Sequence, residues 1–402
     1  MFPRTATADA ARLVATRGAR GFADGLASVL LASYLTRLGF SPLQIGAIVT
    51  ATLLGSAGLM LAIGLAGHRW PRRKVLLGAS LLMLATGLGF YAATSFWPLF
   101  LVALVGTLNP SAGDVTLFLP TEQAVLSETV APAERTEIFA WYNLAGAFAG
   151  ALGALASGGP ARVAQALSIG VAQAERLGFL VYGFFGALSA LAYRKLNRVV
   201  EAPPPPGTAP LAQSRRVVLQ LAALFSLDSF GGGFVVQSLL ALWLFRRFSV
   251  PLATAAAIFF AVNLLGAASQ LVSSRLTARI GHVRTMVFTH LPSSLFLILA
   301  GVMPTLPLAA LFLLLRAAIS SMDVPARQAY VMAMVPREER AAAASVTNVP
   351  RSLAAAVAPL LAGSLLQWSN YGWPLICAGL LKVTYDLLLF AAFAHRRPVE
   401  PG

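Results

Sequence analysis

The chain has 402 residues, of which 57% are hydrophobic and only 11% are charged. An ordinary soluble domain carries about a quarter charged residues, so this composition excludes a water-soluble protein and indicates a chain embedded in lipid. The net charge of +15 does not indicate nucleic-acid binding, because the basic residues lie in short loops between apolar stretches. The single cysteine, Cys377, excludes a disulfide framework and a cysteine-rich metal site.

Twelve apolar stretches are long enough to cross a bilayer as helices, which takes about 20 residues each. The first six spans are residues 18–39, 44–67, 74–94, 98–130, 137–158 and 174–194. The second six are residues 215–245, 252–277, 284–302, 306–334, 340–366 and 372–394. Residues 203–206 between the two sets are consecutive prolines, which break a helix and favour an extended spacer. The sequence therefore predicts an all-α polytopic membrane protein with two six-helix bundles (1–197 and 214–402) joined by a linker (198–213).

The two halves share a motif 205 residues apart: residues 120–124 read Pro-Thr-Glu-Gln-Ala, and residues 325–329 read Pro-Ala-Arg-Gln-Ala. A half-length repeat in a membrane chain indicates two homologous bundles related by pseudo-symmetry, with a site between them. The repeat changes sign at one position, where Glu122 in the first half corresponds to Arg327 in the second.

The basic loops predict the orientation of the chain. With the N-terminus in the cytoplasm, the loops and adjoining span ends on the cytoplasmic side hold 21 Lys and Arg residues, and those on the opposite side hold 5. This bias predicts that both termini are cytoplasmic, in an inner or plasma membrane.

Two six-helix halves, a central linker and basic loops after the second and eighth spans resemble the major facilitator superfamily, over essentially the whole chain. The family's loop between helices 2 and 3 reads Gly-x-Leu-Ala-Asp-Arg-x-Gly-Arg-Lys, and residues 64–74 read Gly-Leu-Ala-Gly-His-Arg-Trp-Pro-Arg-Arg-Lys. His68 stands in place of the family's aspartate, which latches neighbouring helices in the outward-closed state, and Ala278 stands there in the second half. The resemblance implies a gating role for residues of these loops: His68, Arg69, Arg72, Arg73 and Arg279.

The subfamily stays open at this point. The glycine-proline motif of helix 5, typical of many proton antiporters in this family, is incomplete, because Ala151 stands where the proline is expected. Gly146, Gly150 and Gly153 nevertheless have the small-residue spacing that allows a close helix crossing.

Ionisable residues within the spans are the candidates for function, because a charge at the centre of a span costs at least about 2.5–3.5 kcal/mol. In this family helices 1, 4, 7 and 10 line the central cavity. The candidates for proton coupling are Asp24, Asp114, Glu122 and Asp228. The candidates for substrate binding or charge pairing are Arg20, Asp323, Arg327, Arg351, Gln123 and Gln328.

Spacing within single helices suggests several pairs. Arg20 and Asp24 lie one turn apart, which fits either a local ion pair or a transport role. Asp323 and Arg327 have a carboxylate–cation spacing of four residues, and Lys382 and Asp386 repeat that spacing in the last span. Because helix 12 is peripheral in this family, the sequence favours a structural Lys382–Asp386 salt bridge.

Two further expectations concern the cavity. Residues 231–233 are three glycines that serve either as a hinge or as a close-packing surface. If the resemblance holds, Glu122 and Arg327 both face the cavity at equivalent depths, so we predict that they pair across the pseudo-twofold axis in one transport state and separate in the other.

The resemblance implies a secondary active transporter of a small solute that works by alternating access. The sequence has no phosphate-binding glycine loop, which argues against direct use of ATP, so we expect proton coupling, with a slight preference for efflux. The alternatives are a membrane sensor or scaffold without transport and a proton-coupled importer of a small organic anion. We expect a monomer in the lipid bilayer that is not an enzyme and needs no cofactor, metal or nucleic acid.

Overall fold

The computed structural model describes residues 3, 5–66, 70–111, 117–131, 134–197, 213–336, 339–394 and 396, and within them all regular secondary structure is helical. The first half contains helices α1 (Ala8–Arg37), α2 (Pro42–Ala66), α3 (Arg72–Ala92), α4 (Phe96–Val105), α5 (Leu119–Glu128), α6 (Arg135–Ala156), α7 (Pro160–Leu167) and α8 (Val171–Tyr193). The second half contains helices α9 (Arg215–Gly233), α10 (Gln237–Phe248), α11 (Leu252–Ile280), α12 (His282–Val302), α13 (Leu306–Ser320), α14 (Asp323–Ala333), α15 (Arg340–Trp368) and α16 (Trp373–Phe393).

These helices form the twelve predicted spans, but three spans that the sequence suggested as continuous helices are each broken in two. Span 4 consists of α4 and α5, span 7 of α9 and α10, and span 10 of α13 and α14. In span 4, α4 ends at Val105 and Pro110 follows in the non-helical segment, whereas Pro120 lies in the first turn of α5. Proline fits a first turn because amides there have no partner within the helix, whereas in a helix interior it breaks the ladder. The short helix α7 between spans 5 and 6 was not predicted.

Ten of the spans are, within the described residues, long and apolar enough to cross a bilayer by themselves. Span 4 is not among them because its helices are short, and α1 carries several charges in its first half. The rest of the protein shelters α1, since residues 23–35 are all buried. A polar helix of this kind is tolerated in a membrane when its charges face the interior of the bundle.

The two halves repeat the same packing scheme. Helix α1 crosses α6, and α9 crosses α15 in the corresponding way; α3 packs on α8 as α12 packs on α16. Between the halves, α2 packs on α15 and α6 packs on α11. These contacts join span 2 to span 11 and span 5 to span 8, so exchanging the two halves converts one contact into the other. The pseudo-twofold relation expected from the motif repeat is therefore present in the arrangement of helices.

Glycines set the closest helix crossings. A Cβ atom on Gly25 of α1 would lie 2.0 Å from the carbonyl oxygen of Gly150 on α6, so the predicted small-residue crossing is confirmed and its partner is α1. In the second half, a Cβ atom on Gly233 would lie 2.3 Å from the carbonyl oxygen of Ala355 on α15. The glycine run of residues 231–233 therefore ends α9 and also permits close packing.

Candidate functional site

A cavity of about 370 Å³ lies between the two halves. Helices α1 and α6 form one wall, and α9, α10, α11 and α13 form the other. Three charged side chains line it among the described residues: Arg17 and Asp24 on α1 and Arg316 on α13. A site between the halves was expected from the repeat, and the cavity lies where that expectation places it.

Asp24 is the carboxylate in the described lining of this cavity. It is 7% exposed and makes no hydrogen bond or ion pair with the residues that the structure describes. Arg20, one turn away on the same helix, directs its guanidinium to Glu122 instead, so the local Arg20–Asp24 pair considered from the sequence does not form. Asp24 also borders a second cavity of about 10 Å³, room for about one water molecule, together with Tyr182.

Arg316 lies on the opposite wall of the large cavity. It makes no hydrogen bond or ion pair within the described part of the chain, although it is only partly exposed. It follows the first residue of α13 by ten positions, or about 15 Å at 1.5 Å per residue, which is near the middle of a bilayer. Arginine at this depth is costly, and such residues usually act in function.

Seven neutral polar side chains line the cavity besides the charged ones, and the rest of the described lining is glycine and apolar residues. Amide side chains come from both halves, and the Nδ2 atom of Asn263 is buried without a hydrogen-bond partner among the described residues. Phe259 is the single aromatic residue in the described lining. The amide and hydroxyl side chains that line the cavity are Asn143, Gln237, Asn263, Gln270, Ser111, Ser320 and Ser321. The cavity therefore offers hydrogen-bonding groups as well as charges to a bound molecule.

The cavity is closed at one end. We call the end of the bundle where α1 begins and α16 ends the terminal side, and the opposite end the far side. Beyond Asp24 towards the far side, Gln237 donates to the Ser28 hydroxyl at 2.8 Å, and the Ser238 hydroxyl donates to the Ser28 carbonyl at 2.6 Å. The Ser238 amide donates to the carbonyl of Pro110 at 3.1 Å. These bonds join the two halves.

Helices α2 and α15 extend this closure. A Cβ atom on Gly46 would lie 2.5 Å from the carbonyl oxygen of Pro359, and the Leu43 amide donates to the Gln367 side chain at 3.3 Å. Backbone approach this close holds the halves together at the far side.

The first half contains a buried cluster around Glu122, which we call the Glu122 cluster: Thr16, Arg20, Glu122, Tyr142 and Tyr193. Arg20 binds both oxygens of Glu122, at 2.9 Å for Oε1 and through a closer contact for Oε2. Tyr142 and Tyr193 each donate to the carboxylate at 2.5 Å, and Thr16 donates at 3.2 Å. The carboxylate is completely buried, so its full set of donors satisfies it.

The second half contains a larger buried cluster, which we call the Asp228 cluster: Asp228, His290, Asp323, Arg327, Lys382 and Asp386. Asp228 accepts from Lys382 at 2.6 Å and from Arg327 at 3.1 Å. The Nε2 atom of His290 lies 3.5 Å from Asp228, and its Nδ1 atom lies 3.0 Å from Asp386. The cluster joins α9, α12, α14 and α16.

The predicted pairing of Glu122 with Arg327 is not made in this conformation. Each residue is bound within its own half, Glu122 by Arg20 and Arg327 by Asp228. The charge reversal in the repeat has a physical explanation. Arg327 of span 10 occupies the position that Glu122 occupies in span 4. The partner on the first helix of each half differs accordingly: it is Arg20 for Glu122 and Asp228 for Arg327. Both halves thus keep an ion pair between their first and fourth spans, with opposite polarity.

The other two pairs suggested by spacing within a helix have different outcomes. Asp323 and Arg327 lie 3.4 Å apart, which confirms the predicted pair within α14. The predicted Lys382–Asp386 pair is wrong, because Lys382 binds Asp228 and Asp386 binds His290. Local spacing cannot decide between a neighbour on the same helix and a better partner on a facing helix.

The other candidates lie elsewhere. Arg351 donates to the Ser229 hydroxyl at 2.7 Å rather than lining the cavity. Gln123 is half-buried and Gln328 is exposed, and neither is in the described lining. Asp114 lies outside the described residues, so its predicted role stays a prediction.

The gating loops remain predictions as well. His68 and Arg69 lie outside the described residues. In the first-half loop, Arg73 donates to the carbonyl of Arg194 at 2.5 Å and Arg72 begins α3. In the second-half loop, Arg279 is exposed in the last turn of α11.

Sequence reasoning did not select Arg17, Arg316, His290, Tyr142 or Tyr193 as site residues. Arg316 had a usable signal, because it is an arginine in the middle of a span that faces no carboxylate at helical spacing. The histidine and the tyrosines have no local signal, since their partners come from helices distant in the chain.

Comparison with known proteins gives a consistent result. A family model described as Major Facilitator Superfamily matches residues 13–246 and 221–402. An uncharacterized membrane protein of Saccharomyces cerevisiae is 27% identical over 405 residues, covering 92% of this chain and 90% of that protein.

Two solved structures share the fold. A crystal structure of the nucleoside transporter NupG has a TM-score of 0.76 at 13% identity, covering 96% of this chain and 100% of that one. A bacterial homologue of the human lysosomal transporter Spinster, in an inward-facing and occupied conformation, has a TM-score of 0.75 at 16% identity, covering 98% of both chains. With the family model matching both halves, this chain belongs to the major facilitator superfamily.

Proposed function

We propose that this protein moves a small polar solute across the membrane by alternating access and that protons bound at Asp24 drive the movement. Membership of the family supports secondary transport. The observation that carries the rest is a buried carboxylate in the cavity between the two halves that has no partner among the described residues.

Asp24 suits a proton site for reasons of charge and access. Its neighbour Arg20 is occupied by Glu122, so no ion pair within the described residues fixes Asp24 in the ionised form. The cavity offers a path for water and protons while it is open. When it closes and water leaves, an isolated carboxylate favours the neutral acid, so protonation and closure promote each other.

By contrast, Glu122 and Asp228 are poor proton carriers in this conformation. Both carboxylates bind cations directly, and both lie outside the described cavity lining. To accept a proton, each would have to leave at least one buried cation without its partner, which is costly. We therefore narrow the predicted set of carboxylates to Asp24, with Asp114 untested.

The closed far side supports the alternating-access part of the proposal. The other state requires the bonds of Ser28 with Gln237 and Ser238 to break and the terminal ends of the halves to approach. If the terminal side is cytoplasmic, as the basic loops predict, the described conformation is closed to the outside.

A sensor or scaffold without transport is a weaker alternative. Such a protein has no need of charged groups in a mid-membrane cavity, whereas this cavity holds Arg17, Asp24 and Arg316. The charged and amide groups of this cavity fit a hydrophilic solute, and they favour neither efflux nor import.

The test is proton movement in proteoliposomes that contain a pH-sensitive dye and are exposed to a panel of polar metabolites. We expect at least one compound to move protons with the wild-type protein. Asp24→Asn should abolish accumulation driven by a pH gradient but keep exchange of solute at equal concentrations. Asp9→Asn is the matched control, because Asp9 lies on the same helix and is buried, but it pairs with Arg12 away from the cavity.

Two results would overturn the proposal. If folded wild-type protein moves no proton with any compound, proton-coupled transport is wrong. If Asp24→Asn still accumulates solute against its gradient, the proton site is elsewhere.

A further inference from the structure

We infer that the transported solute is a small polar organic anion, a carboxylate or a phosphate ester, whose oxyanion binds Arg316 and which travels together with a proton. This inference rests on the proposed function above and adds the substrate class and the sign of the coupling. The observation behind it is a pair of opposite charges, Asp24 and Arg316, on the two walls of the cavity, neither of which has a partner in the part of the chain that the structure describes.

Arg316 is placed to bind an anion. Its guanidinium has five donors in a planar fork that matches a carboxylate or phosphate, and none of them bonds to the described residues. The nearby carboxylates are already engaged: Asp228 is bound by Lys382 and Arg327, and Asp323 by Arg327. An incoming anion is therefore the natural partner for this side chain.

The surrounding groups suit the rest of such a molecule. On α11, next to α13 in the same wall, Asn263 and Gln270 line the cavity, and the Nδ2 atom of Asn263 is a buried donor without a partner in the described part of the chain. Asn143 faces the cavity from the first half. Amide groups recognise hydroxyl and carbonyl oxygens, so the solute is expected to carry them besides its anionic group.

Charge decides the direction of coupling. An ionised Asp24 repels an anion in the same cavity, and a protonated Asp24 does not. Proton and anion therefore favour each other's binding, which is the requirement for symport; antiport needs competition instead. Arg17 on α1 adds positive potential to the wall of Asp24.

Other ionisable groups around Asp24 do not change this sign. Glu122 on α5, Tyr142 on α6 and Arg20 on α1 are bound to one another within the Glu122 cluster. Tyr182 on α8 borders the small cavity and bonds to Thr107 at 2.8 Å. Asp24 is thus the carboxylate without an ion pair on this wall of the described cavity.

Binding to purified protein in detergent tests the inference without requiring transport. The probes are matched pairs that differ in the anionic group: galacturonate against galactose, and glycerol 3-phosphate against glycerol. Thermal stabilisation and calorimetric binding are measured near pH 5.5 and pH 8. We expect at least one anion to bind, its neutral counterpart not to bind, and affinity to fall at the higher pH.

Three variants locate the site. Arg316→Gln should lower the affinity for the anion at least tenfold. Arg316→Lys should retain part of the affinity, because lysine keeps the positive charge but lacks the planar fork of donors. The Asp24→Asn variant should still bind the anion, and its affinity for the anion should be the same near pH 5.5 and near pH 8. Arg37→Gln is the control, because Arg37 binds Glu175 at the far end of α1. If Arg316→Gln does not fold, Arg316→Lys carries the same test.

The outcomes separate this inference from the proposed function. Anion binding with no solute flux in proteoliposomes leaves the substrate class standing and overturns transport. Proton-coupled flux of neutral or cationic solutes, with no binding of any anion, overturns the substrate class and leaves transport standing. Equal anion affinity of the wild type and Arg316→Gln overturns the assignment of Arg316.

Discussion

The two halves solve the same structural problem with opposite charges and different numbers of partners. In the first half, Arg20 on the first helix binds Glu122 on the fourth span, and hydroxyl groups complete the site. In the second half, Asp228 on the first helix binds Arg327 on the fourth span, and Lys382 and His290 are added. Each half therefore has an ion pair between its first helix and its fourth span. The acidic and basic positions of the pair are exchanged between the two halves.

The opposite polarity of the two ion pairs shows how the two halves can keep the same helix packing while their buried residues differ. An ion pair within one half can reverse polarity without altering the other half, since the two clusters lie in separate bundles. The cavity between the halves is then free to combine charges, with Asp24 from one wall and Arg316 from the other. The buried pairs lie within single halves, and in our proposal Asp24 and Arg316, which have no partner among the described residues, act in transport.

The strongest test of this comparison is removal of the central carboxylate of the second half. Asp228→Asn leaves both Lys382 and Arg327 without their shared anion, so we expect a loss of about 3–5 kcal/mol in unfolding free energy. The measurement is thermal or denaturant unfolding in detergent. Lys382→Met in the same chain should recover part of the loss, and an unchanged midpoint in Asp228→Asn would show that the cluster contributes nothing to stability.

The hydroxyl donors of the first half should matter less. Tyr193→Phe removes one donor from a carboxylate that keeps Arg20 and Tyr142, so we expect a loss of about 1 kcal/mol. The double variant with Tyr142→Phe should lose more than the sum, because the second removal leaves the buried oxygens with fewer donors. Strict additivity of the two changes would argue against a shared network.

The smallest expected effect is the coupling between the two halves. In a double-mutant cycle of unfolding free energies, Glu122→Gln and Arg327→Gln should be additive within about 0.5 kcal/mol, because the two residues belong to separate clusters. The Arg20 and Glu122 cycle serves as the positive control and should show coupling of about 1–3 kcal/mol. A comparable coupling between Glu122 and Arg327 would revive the pairing predicted from the repeat.

The sequence by itself determined the solvent, the number of spans, the two halves and the family. These follow from features that extend over the whole chain: the length of the apolar stretches, the motif repeat and the distribution of basic residues. Small errors in the bounds of single helices do not change them. It also selected Asp24 and Asp228 as candidates for proton coupling, because buried carboxylates are costly in a membrane, and both are buried in the structure. Within α14, it gave the Asp323–Arg327 pair, whose geometry is set by the helix alone.

Only the tertiary structure decided which charges pair and which remain free. The Lys382–Asp386 spacing was favourable, yet both residues have partners on facing helices. Arg20 binds Glu122, 102 residues away, instead of Asp24 one turn along its own helix. Arg316 has no hydrogen-bond or ion-pair partner in the described part of the chain. A buried charge takes the partner that gives the best geometry and the most complete set of hydrogen bonds, and helix packing rather than spacing along the chain supplies that partner.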